Sequence, residues 1–86
     1  NRLQKNEVYS IGRANLSEEG INSTLDILKN SKMKISNIQV NRHHNKSNKD
    51  LEVRITFKVY TRNQSEIKDM MVSLLKIPYV RDVNIE

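Results

Sequence analysis

The sequence predicts an α+β domain in the order β-α-β-β-α-β, with both helices on one face of a four-stranded antiparallel sheet. Three observations carry this: one strand of unbroken alternation, two apolar stripes at helical spacing, and polar turn-forming breaks between them. The strand is Leu51 to Tyr60, LEVRITFKVY, in which Leu51, Val53, Ile55, Phe57 and Val59 alternate with Glu52, Arg54, Thr56 and Lys58. A period of two is that of a strand with one buried and one wet face, and its β-branched and aromatic residues suit a pleated surface. It is the expected central strand.

In chain order, Asn1 to Asn6 (NRLQKN) is a polar leader carrying Arg2 and Lys5. The first residue is Asn1, and the chain is expected to be a piece of a longer protein, with residues 1–6 linking a preceding region to a domain over 7–86. Val8 to Ala14 is read as the first strand, Tyr9 and Ile11 facing the core and Ser10 and Gly12 facing out. Gly12 marks a bulge or a close backbone approach.

The first helix is expected from Ser17, a good N-cap residue, with Glu18 and Glu19 in the first turn, where the helix dipole favours negative charge, and Leu16 stapled against Ile21. Ile21, Leu25 and Leu28 form its apolar stripe, flanked by Thr24 and Ile27. Lys29 and Lys32 complement the dipole at the far end, and the helix stops around Asn30 to Met33.

Lys34 to Arg42 is the second strand; Ile38 and Val40 share one phase and Ile35 has the other. That slip places a bulge or boundary near Ser36-Asn37, as suits an edge strand. His43 to Asp50 (HHNKSNKD) contains no apolar residue and is read as a hairpin loop. Asn63 opens the second helix with Glu66 three residues on, a reciprocal capping pair in type. Ile67, Met70, Met71, Leu74 and Leu75 give it a clean amphipathic stripe. Pro78 ends it, and Arg81 to Glu86 is a last short strand with Val83 and Ile85 inward.

This is the split βαβ, or ferredoxin-like, pattern. Right-handed crossovers put both helices on one side and set the strand order 4-1-3-2, with the second and fourth strands at the edges.

Composition removes several function classes. There is no cysteine, so disulfide frameworks, zinc–cysteine sites, Cys-x-x-Cys metal-carrying loops and thiol catalysis are excluded. Two glycines exclude Gly-rich phosphate loops. No apolar run approaches the roughly 18 residues of a membrane span. The formal charge is +5, and Lys29, Lys32, Lys34, Arg42, Lys46 and Lys49 stand in a stretch without an acidic residue. A basic stretch suits nucleic acid or anionic headgroups, but in a Lys/Asn-rich chain it is read first as solvated surface.

Each candidate site is weak against a plainer reading. His43 and His44 are sequence neighbours, which point apart in a strand, and Asp50 is their one nearby carboxylate, short of the three or four ligands zinc takes. Met33, Met70 and Met71 suggest an adaptable binding surface, yet two lie in the helix stripe and read as core. No serine, histidine and carboxylate fall into a nucleophile pattern. RNA readout on this topology needs aromatics on the open face of the central strands. Phe57 has the buried phase, which leaves Tyr60 alone there with Arg54 and Lys58. No catalytic, cofactor or metal residue is therefore assigned, no cofactor is expected, and no nucleic-acid partner is expected.

As a whole the chain resembles an ACT-type regulatory domain. The resemblance rests on the element order, the acidic-Gly approach to the first helix (Glu18-Glu19-Gly20), and the close Leu74-Leu75-Lys76-Ile77-Pro78-Tyr79-Val80-Arg81-Asp82-Val83. That close is similar to the L-x-x-I-P-x-V-x-x-V ending of many ACT-like domains. The leader Asn1-Arg2-Leu3 and the final Val83-Asn84-Ile85-Glu86 look most like the C-terminal cytoplasmic domain of MgtC/SapB family membrane proteins. The similarity covers residues 7 to 86. It implies a membrane domain preceding this one, a role in bacterial adaptation to low magnesium, and a location at the cytoplasmic face of the membrane. It also implies a non-catalytic regulatory or assembly role, with self-association, by edge pairing of the second strand or by helix-face packing, and the parent's membrane domain as partners.

The alternative relative is the ACT domain of RelA/SpoT-type nucleotide synthetase/hydrolases, which would make this a cytoplasmic small-molecule sensor. Amino-acid-binding ACT domains carry an Asp-x-Pro-Gly-like turn after the first strand. Here that turn is Asn15-Leu16-Ser17-Glu18-Glu19-Gly20, without proline and with glycine displaced, so no ligand residue is carried over. A sensing role for an amino acid or a divalent cation would rest on Glu18, Glu19 and the two histidines.

Overall fold

The computed structural model describes residues 8–44, 46, 47 and 51–86. The leader, and with it Arg2 and Lys5, and the loop positions 45 and 48–50, with Asp50, lie outside the described residues. Strand β1 (Val8–Leu16) leads through a 3₁₀ turn (Glu18–Gly20) into helix α1 (Ile21–Lys29). Strands β2 (Lys34–His44) and β3 (Leu51–Thr61), helix α2 (Gln64–Leu75) and strand β4 (Val80–Ile85) follow. The sheet runs β2-β3-β1-β4, the expected order read from the other edge, and every neighbouring pair is antiparallel.

The core lies between one sheet face and the two helices. Val53, Ile55, Phe57 and Val59 supply its floor from β3, and Leu28, Ile67, Met70 and Leu74 close it from above. Met33 and Met70 are buried and Met71 is partly buried, so all three methionines belong to this packing.

The expected facing of β1 is reversed. Gly12, Ala14 and Leu16 point into the core, opposite Phe57, Ile55 and Val53. Tyr9 and Ile11 therefore lie on the open face, and Tyr9 is 58% exposed. The reason is the Phe57 ring, which fills the space above Gly12: a Cβ built there would stand 2.3 Å from both Cε2 and Cζ. Only glycine admits that approach, so it must face the core, and every second residue faces with it. The expected close backbone approach at Gly12 is thus present, but on the other face. The strand also runs on to Leu16, which is fully buried in the core that Ile21 packs against.

Helix α1 starts later than Ser17. Ser17 is extended and its side chain makes no capping bond; its N–H donates to Tyr79 O at 2.9 Å, tying the chain to the approach to β4. Gly20 passes under Tyr79, where an added Cβ would stand 2.8 Å from Tyr79 Cβ, and the α-helix begins at Ile21 beyond that constriction.

Asn63 does cap α2, its Oδ1 accepting from Ser65 N at 3.0 Å. The reciprocal bond from Glu66 is replaced by a relay. Buried Thr61 donates its hydroxyl to Glu66 at 2.7 Å and accepts from Asn63 N at 3.0 Å.

The bulge in β2 is where the phase slip placed it, between Ser36 and Gln39, with Asn37 at φ 53°. Asparagine tolerates that left-handed geometry better than most residues. Beyond it Ile38 and Val40 rejoin the helix-facing side with Ile35, and all three pack against the core. The strand extends to His44, so both histidines sit in β2 rather than in the loop.

Gly12→Ala is expected to lower unfolding free energy by about 1–3 kcal/mol, the usual cost of overpacking a core. Urea unfolding should show it, and pairing the change with Phe57→Leu should recover part of the loss, since the two residues touch and their effects do not add.

Candidate functional site

The open face of the sheet carries most of the polar organisation, and it divides into three zones. At one end β3 and β1 place Tyr60 and Tyr9 directly opposite each other, with ring centroids 5.8 Å apart and planes tilted by 40°. Lys34 Nζ lies 5.5 Å from the Tyr60 ring centroid, and Lys58 Nζ 5.5 Å from that of Tyr9. Among the described residues neither lysine forms an ion pair.

The middle is a ladder of side-chain bonds between β3, β1 and β4. Arg54 Nε donates to Asn15 Oδ1 at 3.1 Å, and Asn15 Nδ2 donates to Asp82 Oδ1 at 2.7 Å. Arg13 pairs with Glu86 at 2.9 Å. These pairs are solvated and contribute little to stability. They zip the strands in register and satisfy the charges.

At the other end Glu52 is nearly buried although its position in β3 is on the wet face. The bulge of β4 beside Asn15/Leu16 turns Arg81 towards it, and the Arg81 guanidinium bonds its carboxylate. His43 Nε2 lies 3.4 Å from the other carboxylate oxygen. Glu52 is thus shared between β2 and β4 across the sheet. The alternation of LEVRITFKVY identifies Glu52 as outward-facing, but not the partners that cover it.

On the helix side, Glu18 and Arg42 join the 3₁₀ turn to β2. Arg42 Nε donates to both carboxylate oxygens, at 3.0 and 2.9 Å, and Nη2 adds a bond of 2.9 Å to Oε1. These bonds hold the Glu18 carboxyl below the ordinary glutamate range and, with the charge attraction, raise Arg42 above its ordinary value. Finally, an open groove of about 550 Å³ lies between α1 and α2, with Ile27, Met33 and Met70 among its lining and Asp26, Glu66 and Asp69 on the acidic side chains around it.

The sequence candidates are therefore dispersed. His43 faces Glu52, while His44 pairs opposite Leu51 and has the other facing. Glu18 is engaged by Arg42, away from both. Among the described residues no three His, Cys, Asp or Glu side chains are grouped to hold a metal ion. The feature that the sequence reading missed is the tyrosine pair. Its signal was the small-apolar series Gly12, Ala14, Leu16, which competes with Tyr9 and Ile11 for the core and wins once the strand is extended to Leu16.

No family model matches the sequence, and no curated protein matches it. Solved structures do match. The ACT domain from GTP pyrophosphokinase of Chlorobium tepidum is similar with a TM-score of 0.78 and 16% identity, covering 93% of this chain and 99% of that one. The C-terminal domain of the MgtC protein from Mycobacterium tuberculosis is similar with a TM-score of 0.72 and 8% identity, covering 91% of this chain and 84% of that one. A de novo designed protein, Foldit4, matches with a TM-score of 0.52 and 18% identity over 93% of each chain. Both resemblances read from the sequence thus have a counterpart in three dimensions, and what they share with this chain is the ACT-like fold.

Glu18 titrates with its carboxyl depressed, so the stability it lends is present above the ordinary glutamate pKa and is lost as pH falls through the lowered one. With Arg42→Ala the carboxyl should return towards its ordinary value, an upward shift readable by carbon-detected NMR titration of Glu18. An unchanged titration would mean the pair does not persist in solution.

Proposed function

We propose that this chain is a non-catalytic regulatory and assembly domain of a larger bacterial protein, and that the parent is a membrane protein of the MgtC/SapB kind concerned with low-magnesium adaptation. The domain would then lie at the cytoplasmic face of the membrane. The observation that supports this best is the end-to-end correspondence with two structures, each described as one domain of a named protein. No helix among the described residues is long and apolar enough to cross a membrane, so a membrane anchor would belong to the rest of the parent. In the closing run from Leu74 to Val83, which carries the sequence resemblance, Ile77 is buried, Tyr79 O accepts from Ser17 N, and Val83 enters the core.

Assembly is the activity that the surface supports. Val72 and Leu75 are 48% and 50% exposed on α2. The groove side of that helix carries Glu66, Asp69 and Ser73, so at 3.6 residues per turn Val72 and Leu75 lie away from α1. The helix packs on β4, a six-residue edge strand. The other edge, β2, is interrupted by its bulge and bears Lys34, devices that discourage strand addition. These features support a reading in which the chain self-associates through the α2 flank and the β4 edge. Sedimentation over a wide concentration range should show a reversible dimer that Leu75→Glu shifts to monomer; a monomer at all concentrations would sink the assembly role.

A second reading, the sensory ACT domain of a RelA/SpoT-type protein, is favoured by one observation. The C. tepidum ACT domain has the higher TM-score and the higher identity of the two neighbours. A thermal-shift panel separates them. A ligand at 100 times its dissociation constant stabilises the native state by about 2.7 kcal/mol, roughly ten degrees or more in a domain of this size. Such a shift with an amino acid supports the sensor, and no shift with amino acids, magnesium or zinc removes it. The full-length gene product decides the parent: several apolar helices before Asn1 for one, a long catalytic region for the other.

A further inference from the structure

We propose that the tyrosine end of the open sheet face binds a single strand of nucleic acid, its bases stacked on Tyr9 and Tyr60 and its phosphates neutralised by Lys34 and Lys58. The expectation of no nucleic-acid partner rested on the buried phase of Phe57, which left Tyr60 alone on the open face; Phe57 is buried, but Tyr9 joins Tyr60 there. With β1 turned over, the two central strands each place one tyrosine on the open face at directly paired positions, Tyr9 exposed and Tyr60 half-buried.

Three features converge on this occupant. The rings are 5.8 Å apart and tilted by 40°, so they do not stack face to face on one another, and the cations lying over them are flexible lysines that an incoming base can displace. Each ring has an ammonium 5.5 Å from its centroid, within reach of a phosphate attached to a base lying there. The carboxylates of this face among the described residues are already engaged: Glu52 by Arg81 and His43, Asp82 by Asn15, and Glu86 by Arg13. The partner called for is therefore anionic and carries exposed flat π-systems. A single strand meets both requirements, because every base offers a face for sequence-tolerant stacking. A duplex does not, since its base faces are covered by their own neighbours. A second copy of the chain would bring like lysines together across a two-fold contact, in a molecule of formal charge +5. Beside Lys58, a shallow depression lined by Asn37, Gln39 and Thr56 supplies amide and hydroxyl groups for base edges.

The test is fluorescence anisotropy of a labelled ten-nucleotide oligouridine, with a ten-base-pair DNA duplex as comparator. The single strand should bind more tightly than the duplex. Tyr9→Ala and Tyr60→Ala should each weaken binding about five-fold or more, while Tyr9→Phe, which keeps the ring, should bind like the parent. Two phosphate contacts on a single strand should give a log–log salt slope of about −1.4, falling towards zero in Lys34→Gln/Lys58→Gln. Thermal melting of each variant reports whether the fold is retained. Equal affinity for duplex and single strand, or binding indifferent to Tyr→Ala in a folded variant, would overturn the platform and leave diffuse electrostatics. Loss of dimer rather than of oligouridine binding on Tyr9→Ala would assign the tyrosines to self-association instead.

Discussion

The Phe57 ring sits over the bare backbone of Gly12, and the facing of every residue in β1 depends on that contact. A side chain at position 12 would overlap the ring at 2.3 Å, so the strand must bring glycine to this spot and no other residue. Because side chains alternate with a period of two, one such pin sets the whole strand. Ala14 and Leu16 go into the core, and Tyr9, Ile11, Arg13 and Asn15 go to the wet face. The sheet's outer surface, where the polar chemistry lies, is in this sense a consequence of a core packing event on the other side.

That outer surface is graded along the strands. Around Glu52 it is cross-linked and partly dehydrated; through Asn15, Arg54 and Asp82 it is a solvated ladder; at Tyr9 and Tyr60 it is aromatic and cationic. Ion pairs in water contribute little energy, so the ladder serves register more than stability. The aromatic end differs because Tyr9 remains exposed there beside the half-buried Tyr60 and Ile11. Neither the groove between the helices nor the Glu18–Arg42 pair has this combination of apolar area and unpaired charge.

The same fold is reached by an ACT domain, an MgtC domain and a designed chain. Fold alone therefore does not name a function, and what distinguishes this domain is what it presents on its surfaces. The proposed assembly surface is its α2 flank and β4 edge, and the proposed surface for an anionic, base-bearing strand is its tyrosine end. These lie on different surfaces, the first on the helix layer and sheet edge, the second on the open face.

The sequence by itself determined the element order, the strand order, the core phase of β3, the cap at Asn63 and the bulge near Asn37. Each is written in local periodicity or in a residue's own backbone preference, which needs no distant partner to be legible. The facing of β1 was decided by tertiary structure, because Gly12 is ambiguous alone and becomes decisive only when Phe57 lies across from it, 45 positions along the chain. The burial of Glu52 was decided in the same way, by Arg81 arriving on a bulged edge strand. The tyrosine pair follows from both levels: the sequence supplies the two aromatics, and strand pairing alone brings them to 5.8 Å.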